Sequence, residues 1–207
     1  MTNFIEIYNN VLPDEICNLL ISTLDYKDWD NSKVIKEART LDGDKEKLSS
    51  KDMFLSEHSY EFDTLKFELD RHLRPKLLEY DRKYHITYTP DDVDHSEWGG
   101  IVIRRHTPWN IKKYTAPDDG YNAYHCDWTT HDNMVRRVVS SILYLNDVEE
   151  GGETEFYFQG LKIKPKKGRL ILFPTFYTHL HKGHKPISND KYVAMCWNTT
   201  TGGIIRD

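Results

Sequence analysis

VVSSILYLNDVEEGGETEFYFQGLKIKPKKGRLILF, residues 138–173, reads as four short strands with turns between them. Apolar and polar residues alternate through 138–146 (VVSSILYLN), 153–158 (ETEFYF), 161–164 (LKIK) and 169–173 (RLILF). A period of two marks a strand with two unlike faces. Gly151-Gly152 separates the first pair, and Pro165 with Gly168 the last, residue types that end strands and build turns. The same period runs outward in both directions. Strand candidates precede this stretch at 98–104 (WGGIVIR) and 121–128 (YNAYHCDW) and follow it at 177–181 (YTHLH) and 191–198 (KYVAMCWN). Pro117-Asp118-Asp119-Gly120 and Pro186 with Asn189 supply further turns. Many short strands at close spacing predict a sandwich or barrel.

Before residue 98 the pattern is different. FIEIY (4–8) alternates and reads as a short strand. LPDEICNLLISTL (12–24) reads as a helix: Pro13 lies near its first turn, Asp14 and Glu15 suit its positive end, and Ile16, Leu19, Leu20 and Leu24 share a face. Residues 30–52 are charged with scattered apolar positions, which predicts a surface loop or lid with a short strand at Val34-Ile35. Ser56 to Tyr84 follows the helical period through Tyr60, Leu65, Leu69, Leu73 and Leu77, and Pro75 is expected to kink or break it. The expected class is mainly β with N-terminal helices. A single domain would have residues 1–97 as helical support and lid and residues 98–207 as the β core.

At 207 residues the chain is long enough for one domain with a sizeable core, and its 13% aromatic content argues against disorder. A formal net charge of -5 lacks the basic surplus of a nucleic-acid footprint. No stretch approaches the ~18 apolar residues of a membrane span. MTNFIEIYNN has neither a basic start nor an apolar run, so no signal peptide is expected. Three cysteines (Cys17, Cys126 and Cys196) with no C-x-x-C read as free thiols. A cytoplasmic or intracellular location is the expectation.

The chemistry starts at His125-Cys126-Asp127. On a strand, residues 125 and 127 point one way and 126 the other. An imidazole and a carboxylate on one face are two of the three ligands of the facial triad that suits non-haem Fe(II). His-x-Asp alone is more often a strand histidine beside a solvated aspartate. A third ligand must be a histidine from another strand, and PTFYTHLHKGHKPISNDKYVAMCW (174–197) offers His179, His181 and His184.

IEIYNNVLPDEICNLLI (5–21), KYTAPDDGYNAYHCDW (113–128), ILYLNDVEEGGETEF (142–156) and PKKGRLILFPTFYTHLHKG (165–183) together resemble the 2-oxoglutarate/Fe(II) dioxygenases, in their prolyl 4-hydroxylase-like branch. Order and spacing agree over roughly the last half of the chain. The resemblance implies a double-stranded β-helix, or jelly roll, packed against helices. It implies Fe(II) held by His125, Asp127 and His181, His181 being favoured over His179 because Gly183 follows two residues on and Lys191 ten. Lys191 matches the lysine that pairs with the far carboxylate of 2-oxoglutarate. Tyr144 matches a tyrosine on the same carboxylate, Tyr114 is a further cosubstrate contact in poorer register, and Trp197 shares the face of Lys191. Pro186 falls one residue later than in the usual His-x-Gly-x-Pro.

The implied activity is hydroxylation of a prolyl residue in a peptide or protein. It would use O₂ and 2-oxoglutarate, release succinate and CO₂, and have ascorbate as a candidate reductant. Trp109, Tyr121, Tyr124, Trp128 and Tyr177 cluster around the metal-binding strands and could form an aromatic groove for an extended peptide. The alternatives are an oxygenase acting on a non-prolyl or small-molecule substrate and a cupin-type metal-dependent isomerase or hydrolase. A nucleic-acid demethylase is disfavoured by Ile187 where an arginine is usual. Neither a nucleic acid nor a membrane is expected as a partner.

Overall fold

The computed structural model describes residues 2–26, 33–39, 45–55, 62–84, 105–128 and 135–201. The alternation read from the sequence builds two antiparallel sheets laid face to face. The larger contains β1 (Glu6–Tyr8), β2 (Lys33–Arg39), β3 (Lys45–Leu55), β4 (Arg105–His106), β5 (Trp109–Tyr114), β7 (Val135–Tyr144), β10 (Leu170–Pro174) and β12 (Lys191–Thr201). Its order is β1-β10-β7-β12-β5-β3-β2, with β4 alongside β12. The smaller sheet has the order β6-β11-β8-β9 and uses β6 (Tyr121–His125), β8 (Thr154–Phe156), β9 (Leu161–Ile163) and β11 (His181–Gly183). Among the described residues two α-helices, α1 (Asp14–Tyr26) and α2 (Asp63–Tyr84), accompany the sheets. This is the jelly roll with helical support.

The period of two explains the layering. On β7, β10 and β12, Leu143, Leu170, Leu172, Ala194 and Cys196 point outward and join Cys17, Leu20, Leu24, Leu65, Leu69 and Leu73 of the helices in one buried cluster. Their neighbours Ile142, Tyr144, Ile171, Phe173 and Val193 point inward and meet Phe156 and Ile163 of the smaller sheet. Each buried aliphatic side chain contributes about 1.5–3 kcal/mol of transfer free energy, so the helices hold the larger sheet by apolar burial.

Several expectations change here. Residues 30–52 were expected to form a loop or lid. In their described part they are strands: β3 pairs with β5, joining Met53 to Ile111, and β2 pairs with β3. Polar residues are buried on β3 because each finds a partner. Ser49 donates to Asp119 (2.5 Å), and Asp52 accepts from Ser50 (2.5 Å) and Asn110 (3.1 Å) and pairs with Lys112. Pro75 does not break α2. It sits on the exposed side of the helix next to exposed Arg74, so water can serve the carbonyl that proline leaves without a donor. On α1, Leu19 is 47% exposed and Cys17 takes its expected place against the sheet. The strand expected at 177–181 is a turn of 3-10 helix over Tyr177–His179 followed by β11. The strand candidate at 98–104 and Tyr60 lie outside the described residues.

Candidate functional site

β6 and β11 are antiparallel neighbours in which His125 and His181 are directly opposed. Their rings lie 4.3 Å apart between centroids. β6 ends at His125, so Asp127 lies just beyond the strand. The chain there is tied back by Trp128 N–H donating to the Thr175 carbonyl (2.9 Å) and by Ser140 Oγ donating to Asp127 Oδ2 (2.6 Å). Asp127 Oδ1 lies 3.6 Å from His125 Nε2, and Oδ2 lies 3.7 Å from His181 Nε2. One ligand atom from each of the three residues lies within 4.8 Å of the others.

The hydrogen bonds decide which ring nitrogen is free. His125 Nδ1 lies 3.0 Å from the Ala123 carbonyl, and His181 Nδ1 lies 3.0 Å from the His179 carbonyl. A carbonyl only accepts, so both Nδ1 atoms carry the proton and both Nε2 lone pairs face Asp127. Burial, reinforced by the neighbouring His181, pushes His125 down to about 4, so its imidazole is neutral at neutral pH. Burial would raise the Asp127 carboxyl, but the two imidazoles and the Ser140 hydroxyl hold it below the usual carboxylate range. Two imidazole nitrogens and one carboxylate, converging beside a cavity, are the kind of donor set that suits an open Fe(II) site.

The cavity beside these residues has a volume of about 450 Å³, and Lys191 also lines it. Lys191 is 3% exposed, and its Nζ donates to the Gly152 carbonyl (3.1 Å) and lies 4.6 Å from the Tyr114 ring centre. Burial pushes it down to about 8, against the pull of Glu153. A buried ammonium with one neutral acceptor is poorly compensated, and an anionic ligand in the cavity would compensate it. Beside it, Tyr144 is fully buried and donates to Thr154 Oγ1 (2.6 Å). Burial raises the phenol pKa values of Tyr144 and Tyr114, so both remain neutral donors. Gly151-Gly152 is more than a hairpin turn. Both residues have positive φ, a Cβ on Gly151 would sit 2.4 Å from the Lys185 carbonyl, and one on Gly152 would press on Lys191 Cδ at 3.3 Å.

The sequence candidates His125, Asp127, His181, Lys191, Tyr144 and Tyr114 therefore meet around one cavity, with Trp197 also on its wall. His179 does not. Its Nε2 contacts the Asn3 carbonyl (2.9 Å), and its ring sits on the 3-10 turn rather than on a strand face shared with His181. His184 pairs instead with Glu155 (2.5 Å). The expected aromatic cluster divides. Tyr121 and Trp128 line the cavity, and Trp128 stacks on Phe176 at 4.5 Å. Trp109 is buried on the helix side with its indole N–H on Asp70 (2.6 Å), Tyr124 packs against Tyr157, and Tyr177 is 73% exposed. Sequence reading missed Ser140, Thr154, Arg137 and Asp52 in the site. Arg137 lies 3.6 Å above the Trp197 ring. No motif marks these four, although the inward period of β7 and β3 would have found Ser140 and Asp52.

Residues 109–199 match the 2OG-Fe(II) oxygenase superfamily. Over 115 residues the chain is 33% identical to prolyl 4-hydroxylase 13 of Arabidopsis thaliana, a stretch covering 43% of this chain and 41% of that protein. The matched stretch thus spans less than half of that relative. Among solved structures, the chain is similar to the viral collagen prolyl hydroxylase vCPH of Paramecium Bursaria Chlorella virus-1 in its 2OG complex. The TM-score is 0.66 and the identity 22%, covering 95% of this chain and 96% of that one. It is also similar to a Trichoplax adhaerens prolyl hydroxylase in complex with a hypoxia inducible factor peptide fragment. There the TM-score is 0.65 and the identity 20%, covering 96% of this chain and 84% of that one.

Proposed function

Because residues 109–199 match the 2OG-Fe(II) oxygenase superfamily, we propose that the chain is an Fe(II)- and 2-oxoglutarate-dependent dioxygenase that hydroxylates prolyl residues, at ring carbon 4, in a peptide or protein. The observation that carries this reading is the shared cavity, lined both by a two-histidine, one-carboxylate set and by a buried, undercompensated lysine. A cupin-type isomerase or hydrolase would have no use for Lys191. The prolyl substrate is supported by the names of the relatives and by the peptide held by the Trichoplax enzyme.

His125, Asp127 and His181 would hold Fe(II), which when bound supplies the oxygen-activating redox chemistry that no side chain here can perform. The Ala123 and His179 carbonyls orient the imidazoles, and Ser140 orients the carboxylate. Lys191 would pair with the distal carboxylate of 2-oxoglutarate, and Tyr144 would donate to the same group by turning its one hydroxyl proton away from Thr154. The keto-acid end is thereby directed toward the open side of the triad. Inward Ile142, Val193 and Met195 give the cavity an apolar wall. Tyr121 and Trp128 line the wall against which a peptide would lie. The reaction balances as R–H + 2-oxoglutarate + O₂ giving R–OH + succinate + CO₂, the decarboxylation supplying two electrons. Ascorbate is the candidate reductant for turnovers that fail to couple.

The test is anaerobic addition of Fe(II) and 2-oxoglutarate to the apoprotein, followed by oxygen with a proline-rich peptide, free proline or a lysine-containing peptide. A visible charge-transfer band, then succinate together with a gain of about 16 Da on the proline-rich peptide, is expected. A mass gain on free amino acids or non-prolyl side chains alone would overturn the prolyl assignment and leave the oxygenase assignment standing.

A further inference from the structure

The Lys191 side chain reaches the cavity only if β12 enters the sheet in one register. A slip of one residue would turn Lys191 toward the helices and put a neighbour in its place. On one edge Lys191 is paired with Tyr114 of β5. On the other edge the register with β7 begins only at Val193, opposite Tyr144, where β7 ends. Leu145 N–H still reaches the Tyr192 carbonyl (2.9 Å), and beyond that no strand neighbours Lys191 on this side.

The side chain of Asn146 fills that place. Its Nδ2 donates to the Asp190 carbonyl (2.8 Å), and its Oδ1 accepts from Tyr192 N–H (2.8 Å). The carbonyl before a strand residue and the amide after it point to the same side, so this is the pair a neighbouring strand would engage. Asp190 is held from the opposite direction as well: Ala116 N–H donates to its Oδ1 (3.0 Å), and Lys113 pairs with its Oδ2 (3.2 Å). We propose that Asn146 is a positioning residue for Lys191. By bracketing the peptide units on both sides of residue 191, it fixes the register that aims the ammonium at the cosubstrate carboxylate.

This rests on the reading of Lys191 as the 2-oxoglutarate anchor, and the test separates the two. Wild type, Asn146→Ala, Lys191→Ala and the double variant are loaded with Fe(II) anaerobically and titrated with 2-oxoglutarate in a calorimeter. Asn146→Ala loses three side-chain bonds to backbone, one to the Asp147 carbonyl and the two that flank residue 191, so its Kd for 2-oxoglutarate should rise on the order of tenfold. Its Fe(II) affinity should match wild type. In the Lys191→Ala background the same change should add nothing, because the residue acts through Lys191. An equal effect in both backgrounds, or an equal loss of Fe(II) affinity, marks a general structural role and overturns the proposal. Asn146→Asp keeps the volume and the acceptor for Tyr192 N–H but removes the donor to Asp190. It should weaken 2-oxoglutarate binding too, and an unchanged Kd in that variant overturns the proposal even if Asn146→Ala fails to fold. If Lys191→Ala leaves Kd unchanged, the anchor reading fails and the proposal falls with it. If Lys191→Ala weakens binding and neither Asn146 variant does, only the proposal falls.

Discussion

The two faces of the larger sheet are made by the same strands and do opposite work. Outward from β7, β10 and β12 stand Leu143, Leu170, Leu172, Ala194 and Cys196, packed on two helices. Inward, on β7 and β12, stand Ile142, Tyr144, Lys191 and Val193, facing the cavity. The outer face is apolar and satisfied by burial alone. The inner face carries a buried cation and hydroxyls that would be costly in an ordinary core. One face provides the free energy that lets the other remain incompletely paired.

Substitutions on the two faces should therefore separate into activity and stability. The largest effect is expected from Asp127→Ala. Groups that merely orient a metal ligand are worth about 10–100-fold, so losing the ligand itself should exceed that in iron affinity and turnover. Iron content after gel filtration and succinate release measure both. Lys191→Ala removes one partner of what would be a buried charge pair, a loss of about 3–5 kcal/mol, and should raise the KM for 2-oxoglutarate by two orders of magnitude or more. Its Tm should stay level or rise, since the apoprotein loses an undercompensated buried cation. Leu172→Ala is its mirror image. It should cost about 2–5 kcal/mol in denaturant unfolding with little change in KM. If Lys191→Ala destabilised the fold as much as Leu172→Ala, the division between the faces would be broken.

Ser140→Ala sharpens it from within one strand. It should lower iron affinity or activity about 10–100-fold by freeing the Asp127 carboxylate, with Tm little changed. The smallest effect is one of pH. Lys191 sits at about 8 in the ligand-free protein, and the groups facing it are Tyr114, Tyr144 and Glu153. Its ammonium is present below that value and lost above it. Affinity for 2-oxoglutarate should be flat below pH 8 and fall by about tenfold per pH unit above it. A slope that persists in Lys191→Ala would assign it to another group.

The alternating segments were legible because each had one apolar face, and the resemblance tied His125, Asp127, His181 and Lys191 to one site. The pattern was less readable where polar residues are buried in pairs. Ser49 and Asp52 made β3 look like a surface loop, because their partners Asp119, Asn110 and Lys112 lie about 60 residues or more away in sequence. YTHLH imitated a strand by spacing its histidines two apart, yet the chain turns at Tyr177–His179 before entering β11. Asp127 met His125 without sharing its strand, so that geometry came from a backbone turn tied to Thr175 and Ser140 and not from the pleat.

The Asp127 carboxylate has a further consequence, best put in mechanical terms. Its backbone continues from the smaller sheet, and its Oδ2 is tethered to Ser140 of the larger one, while both histidines belong to the smaller sheet alone. A metal bound here would rivet the two layers together at the mouth of the sandwich. Sheets of this kind stack about 10 Å apart, and prying them open would load the carboxylate bond before it strained either histidine. An iron bound here would therefore be a gauge of layer spacing, and its grip would report how tightly the jelly roll is closed.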